Sequence, residues 1–197
     1  MKLAPNLRIF ITGKTQSGKT FLTKSIIKQF NNFIVYDIKR QYGELGAKVH
    51  SIENIKAELL KGNTKLIYQP VDLSPEHFDE VCKYIFFNLK NILFVVEEAH
   101  KFATKHKIPP YFNSLITMCQ GEPYFIGVIS ITQRPANIHN DIISSSTIVI
   151  SFKLTLQSDA EAVTGIEAKT IHELPQFHYA KFDDRIYTNP VSIHKPI

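Results

Sequence analysis

The chain has 197 residues, 44% of them hydrophobic and 21% charged, with a formal net charge of +5. That is enough for one domain (1–197) with a substantial core and short for two, and the composition excludes a disordered polypeptide. No apolar run reaches the roughly 18–20 residues that span a bilayer, no leader-like segment opens the chain, and Cys82 and Cys119 are far apart. The expectation is a protein that is not integral to a membrane, with free thiols in a reducing compartment. The positive charge permits a polyanionic partner without requiring one.

Short apolar runs alternate with helical segments, a pattern that predicts a mostly parallel α/β sheet. Arg8–Thr12 reads as a first strand, and Lys19–Phe30 as a helix with Leu22, Ile26, Ile27 and Phe30 on one face. A second strand over Asn32–Asp37 follows, then a helix over Ile52–Lys61 stopped by Gly62-Asn63, and a third strand over Lys65–Gln69. Ser74 and Pro75 suit the cap and first turn of a helix in which Phe78, Val81, Cys82, Ile85 and Phe86 form one face. Ile92–Val96 reads as the central strand, Tyr111–Cys119 as a looser helix, and Tyr124–Ile131 and Thr147–Lys153 as further strands. A short helix over Ser158–Thr164 precedes a terminal hairpin, read as His178–Phe182 and Arg185–Tyr187 around Asp183-Asp184.

Between the first strand and first helix lies Gly13-Lys14-Thr15-Gln16-Ser17-Gly18-Lys19-Thr20, which satisfies G-x-x-x-x-G-K-[ST]. Glycines let the backbone curl so that successive N–H groups face a phosphate chain, and the helix N-terminus adds partial positive charge. Lys19 is expected to reach the β- and γ-phosphate oxygens of ATP, and the Thr20 hydroxyl to lie on Mg²⁺. The central strand ends in Glu97-Glu98, and two carboxylates at a buried strand end need compensation. Because side chains alternate along a strand, the two acids take different roles: Glu97 holds Mg²⁺ through water, and Glu98 is the base for the attacking water. Thr132-Gln133-Arg134-Pro135 ends another apolar strand; beside the first strand, Gln133 would meet the γ-phosphate. His100 is expected to be a hydrogen-bonding support and not a metal ligand.

Taken in order, these elements resemble the FtsK–HerA superfamily of DNA-translocating ATPases. The resemblance extends to Asp37 with the Gly43-Glu44 turn, Glu97-Glu98-Ala99-His100, Thr132–Pro135, Ile143–Leu154 with Ser158-Asp159-Ala160, and the final segment from Leu174 to Val191. It implies a three-layer α/β/α P-loop NTPase of RecA/ASCE type with a C-terminal β-hairpin. Where the family usually has Asp for the metal, this chain has Glu97. A bare core of this size is most similar to the genome-packaging ATPases of internal-membrane icosahedral viruses, and the Lys- and Ile-rich composition is compatible with an archaeal virus.

The resemblance implies a homo-oligomeric ring, a hexamer, that pumps double-stranded DNA, with a capsid or membrane-vertex partner and a location in the host cytoplasm or virion. Phosphoryl transfer in such rings often uses an arginine from a neighbour. There are only four, so the candidates are Arg134 first as sensor or finger, Arg40 second, then Arg8 and Arg185. Lys101, Lys105 and Lys107 are candidate DNA-phosphate contacts. A plasmid-transfer or phage-export ATPase is the nearest alternative. A small-molecule kinase is disfavoured because no Arg-rich lid is evident, a GTPase because no N-K-x-D motif occurs, and a nucleotide-gated switch because of Glu98.

Overall fold

The computed structural model describes residues 7–195. Among the described residues nine strands form one sheet: β1 (Arg8–Thr12), β2 (Phe33–Tyr36), β3 (Ala47–Val49), β4 (Lys65–Tyr68), β5 (Ile92–Val96), β6 (Ile126–Thr132), β7 (Ile148–Phe152), β8 (Tyr179–Asp183) and β9 (Val191–His194). Their spatial order is β3-β4-β2-β5-β6-β1-β7-β8-β9. The first seven run parallel, and β8 and β9 add antiparallel. The α-helices of the described residues are α1 (Lys19–Ile27), α2 (Ile52–Leu60), α3 (Pro75–Asn88), α4 (Pro110–Thr117), α5 (Asn140–Ser144), α6 (Gln157–Glu161) and α7 (Ala168–Glu173). No helix among the described residues is long and apolar enough to cross a membrane.

Alternation divides the strand residues between two cores. Ile9, Ile11, Phe33, Val35, Leu93, Val95, Ile129 and Ile131 pack on one face against Leu22, Ile26 and Ile27 of α1. Phe10, Ile34, Tyr36, Phe94, Val96 and Val128 point the other way, onto residues of α2 to α7. The three layers are therefore unequal: a single helix covers one face. The thicker layer holds an aromatic cluster in which Phe78 stacks on Phe102 at 4.5 Å and Tyr36 lies edge-on to both.

Local chemistry sets the helix boundaries. Ser51 and Ser74 accept from the backbone N–H groups of Asn54 and His77, each at 3.2 Å, capping α2 and α3. Arg8 is fully buried, and its guanidinium donates to the carbonyls of Leu115 and Ile116 in the last turn of α4 and to that of Ile126. Those helix-end carbonyls have no partner within the helix, so a cation there is well matched. Burial lowers the Arg8 pKa to about 10. This arginine is a brace, not a catalytic group.

One expectation needs correcting, and three short elements were not read from the sequence. The return strand of the hairpin is Val191–His194, not Arg185–Tyr187; Arg185 donates to both carboxylate oxygens of Asp183 and so lies in the turn. Edge strand β3 was not expected, being three residues long with only Val49 buried. Helices α5 and α7, of five and six residues, are too short to show a helical period.

Candidate nucleotide site

Because β2, β5, β6 and β1 are parallel neighbours, the loops leaving their carboxyl ends meet on one edge of the sheet. The registers place Thr12 beside Thr132, and Val96 beside both Tyr36 and Ser130. The phosphate loop, the Lys39 turn, the two glutamates and Gln133 therefore come together.

The loop at 13–20 needs its glycines. Gly13 and Gly18 have φ of 151° and 108°, and a Cβ on Gly13 would lie 2.6 Å from Cβ of Phe152. The backbone N–H of Lys14 is tied to the carbonyl of Lys153 at 3.0 Å, which anchors the loop to the end of β7. Gly18 caps α1 without a side chain, and the first turn carries no acid, so the helix N-terminus faces the hollow uncompensated. Lys19 curls back and donates to the carbonyls of Gly13 (2.6 Å) and Lys14 (2.8 Å). Burial, first of all, lowers its pKa to about 8. Desolvated and held only by neutral carbonyls, this ammonium would gain from anionic oxygens.

A hollow of about 630 Å³ is lined by Thr15 to Phe21 together with Lys39, Gln41, Glu97, Gln176 and Phe177. Glu97 is buried, and its Oε2 has no hydrogen-bond partner. Burial raises its pKa to about 7. The Thr20 hydroxyl lines the same hollow and donates to Oε1 of Gln41 at 3.1 Å. A hydroxyl and an orphaned carboxylate oxygen beside a phosphate cradle are the hard oxygen donors that Mg²⁺ takes, with the rest of its shell from water and phosphate. The residues fit that ion.

Glu98 is also buried, with its backbone in the left-handed region at φ 51°. Its Oε1 receives Lys39 Nζ, whereas Oε2 lacks a hydrogen bond and lies 3.3 Å from His100 Nδ1. The Thr132 hydroxyl accepts from the Arg134 backbone N–H (3.0 Å) and also lies 2.8 Å from His100 Nδ1, in a hydrogen bond whose direction follows the imidazole tautomer. Burial lowers the His100 pKa and so favours the neutral ring. His100 thus supports the site through Thr132.

Gln133 accepts at Oε1 from the Thr15 hydroxyl at 2.7 Å, joining β6 to the phosphate loop. Arg134 lies farther out. It pairs with Asp159 at 3.3 Å and lines a second hollow of about 530 Å³ with Lys14, Thr15, His100 and Gln133. Arg40 is exposed at φ 57° and is not among the residues lining the phosphate hollow. Lys101, Lys105 and Lys107 are exposed on the segment after Glu98, with Lys107 3.9 Å from Glu76.

Sequence reasoning missed Lys39, Gln41, Asp159, Gln176 and Phe177. A signal existed for the first two. Asp37 directly follows β2, is fully buried, and accepts from the backbone N–H groups of Gln41 (2.8 Å) and Tyr42 (3.0 Å) and from the Gln69 amide (3.2 Å). It folds residues 38–42 back over the hollow. Phe177, at φ 65°, arrives from the far end of the chain, and nothing local in its segment announces that approach.

No family model and no curated protein sequence matches the chain. Solved structures do. The genome packaging NTPase B204 from Sulfolobus turreted icosahedral virus 2, in complex with ATP-gammaS, superposes with a TM-score of 0.81 at 18% identity, covering 99% of this chain and 100% of that one. VirB4 of Thermoanaerobacter pseudethanolicus gives 0.67 at 10% identity, covering 96% and 89%. The pCW3 conjugation coupling protein TcpA gives 0.62 at 16% identity, covering 95% and 60%. The likeness is one of fold: from end to end, this chain has the α/β architecture of the B204 packaging NTPase.

Proposed function

We propose that the chain is a Mg²⁺-dependent ATPase of the FtsK–HerA superfamily that translocates double-stranded DNA, as a viral genome-packaging motor. The observation that carries the reading is Glu98, buried beside a phosphate loop whose lysine lacks an anionic partner, in a fold matched over its whole length by a packaging NTPase.

In this reading the N–H groups of residues 13–20 and the Lys19 ammonium bind the β- and γ-phosphates. Thr20 and, through water, Glu97 would hold Mg²⁺, which supplies charge neutralisation at the phosphate oxygens when bound. Glu98 accepts the proton of the attacking water. Gln133, fixed to Thr15, orients that water or reports the γ-phosphate. Arg134 is the first choice for stabilising the charge of the transition state, as sensor or finger, and Arg40 the second. Further parts of the reading are a hexameric ring, a capsid or membrane-vertex partner, and work in the host cytoplasm or virion. VirB4 and TcpA share the fold, which keeps a plasmid-transfer or export role as the second reading.

The test is ATP turnover by the purified protein with and without double-stranded DNA. Stimulation by DNA of unrelated sequences supports a translocase, which must ignore sequence and contact phosphates. Turnover indifferent to DNA at low salt would remove the translocase and leave an ATPase.

A further inference from the structure

The Lys39–Glu98 ion pair joins the residue read as the base to a cation on the wall of the phosphate hollow. The two ends differ: Glu98 is 2% exposed and Lys39 38%. Glu98 is fixed by β5 behind it and by its own left-handed backbone. Lys39 has a flexible four-carbon stem on a turn that Asp37 staples at Gln41 and Tyr42. Lys39 also acts electrostatically on both Lys19 and Glu97. Its ammonium is therefore within electrostatic range of the place where Lys19 would meet the γ-phosphate.

From this placement we propose that Lys39 is a latch: it holds Glu98 while the site lacks a γ-phosphate, and transfers to that phosphate when ATP binds. The inference rests on the reading of 13–20 as an ATP site. A γ-phosphate oxygen carries more charge than a carboxylate oxygen and is approached by Lys39 from solvent, so moving the ammonium needs only stem rotation. Release leaves Glu98 with both oxygens free to accept from water. ADP has no γ-phosphate, so the latch stays closed and the base stays occupied after phosphate leaves. Lys39 is thus a positioning residue that couples γ-phosphate binding to the state of the base, and by linkage Glu98 weakens the hold of Lys39 on ATP.

A double-mutant cycle on binding isolates this coupling without requiring turnover. The affinities of ATPγS and ADP are measured by calorimetry, with Mg²⁺ held constant, for wild type, Glu98→Gln, Lys39→Ala and the double variant. Glu98→Gln removes both the competing pair and carboxylate repulsion of the γ-phosphate; without Lys39 it removes the repulsion alone. The latch predicts that Glu98→Gln tightens ATPγS about tenfold more in the presence of Lys39 than in its absence. For ADP the cycle is additive, and retained ADP binding verifies that each variant is folded. An ATPγS gain equal or smaller in the presence of Lys39 overturns the latch but keeps the nucleotide site. Lys39→Met, which keeps an unbranched stem of similar length without the ammonium, should repeat the Lys39→Ala result. Failure of wild type to bind either nucleotide overturns the site reading and the latch together.

Discussion

Lys19 sits in the phosphate loop with no anion in contact, and burial has lowered its pKa to about 8. A lysine whose folded pKa is depressed is partly neutral above that value, and phosphate oxygens beside Nζ restore its charge. Binding of ATPγS at about pH 8.5 should therefore take up a fraction of a proton, because Glu97, with a pKa near 7, is already ionised there. Calorimetry in two buffers of different ionisation enthalpy reads this directly. Net release in place of uptake would contradict the assignment. A second residue-scale prediction concerns Arg134. If it stabilises the transition state, Arg134→Ala lowers kcat by about tenfold or more and leaves ATPγS affinity nearly unchanged. Wild-type turnover in that variant would remove it from the reaction, and Arg40 would be next.

At the scale of elements, two polar side chains organise apolar scaffolding. Arg8 joins β1, the end of α4 and the start of β6 through three backbone carbonyls. Arg8→Met strands those buried acceptors, and a loss of roughly 2–4 kcal/mol is expected in denaturant melts. A loss under about 0.5 kcal/mol would mean that water replaces the guanidinium. Asp183 organises the hairpin turn: Arg185 first, and Lys181, hold its carboxyl well below the usual carboxylate range. A depressed folded pKa gives stability that is complete above the unfolded value of about 3.9 and is lost as pH falls below it. Asp183→Asn should therefore cost about 1 kcal/mol near neutrality, allowing for solvent screening of Arg185. That difference should shrink steadily below about pH 4.

These same elements show what was legible in the sequence. Helices α1 to α3 and the parallel strands other than β3 were readable, because each buries one face or both. The phosphate loop was readable because its glycines are demanded by a close backbone approach that no other residue tolerates. Arg8 was weighed only as a charge, since its partners are backbone carbonyls more than 100 positions away. Lys39 was passed over for a related reason. Its significance comes from the β2–β5 pairing, which brings it to Glu98 across 59 positions. The return strand of the hairpin was misread because Arg185–Tyr187 alternates locally, whereas the pairing of Phe182 with Val191 and Tyr179 with His194 is settled by the register.

For the whole molecule, the sheet gathers its polar loops on one edge and leaves Lys101, Lys105 and Lys107 exposed on the segment that follows Glu98. If this segment tracks a DNA backbone, changing all three to Ala should weaken duplex binding equally for unrelated sequences. It should also flatten the slope of log affinity against log salt by up to about 0.9 per lost phosphate contact. An unchanged slope would move the DNA path elsewhere on the molecule. The net charge of +5 is compatible with either route, so the slope and not the affinity is the informative quantity.

If Glu98 is the base of this site, release of inorganic phosphate from pre-bound ATP in a single turnover depends on its carboxylate. Wild type should release phosphate and Glu98→Gln should do so about 10²–10⁴-fold more slowly, with ATPγS binding retained in both. Equal release from the two proteins would exclude Glu98 as the base.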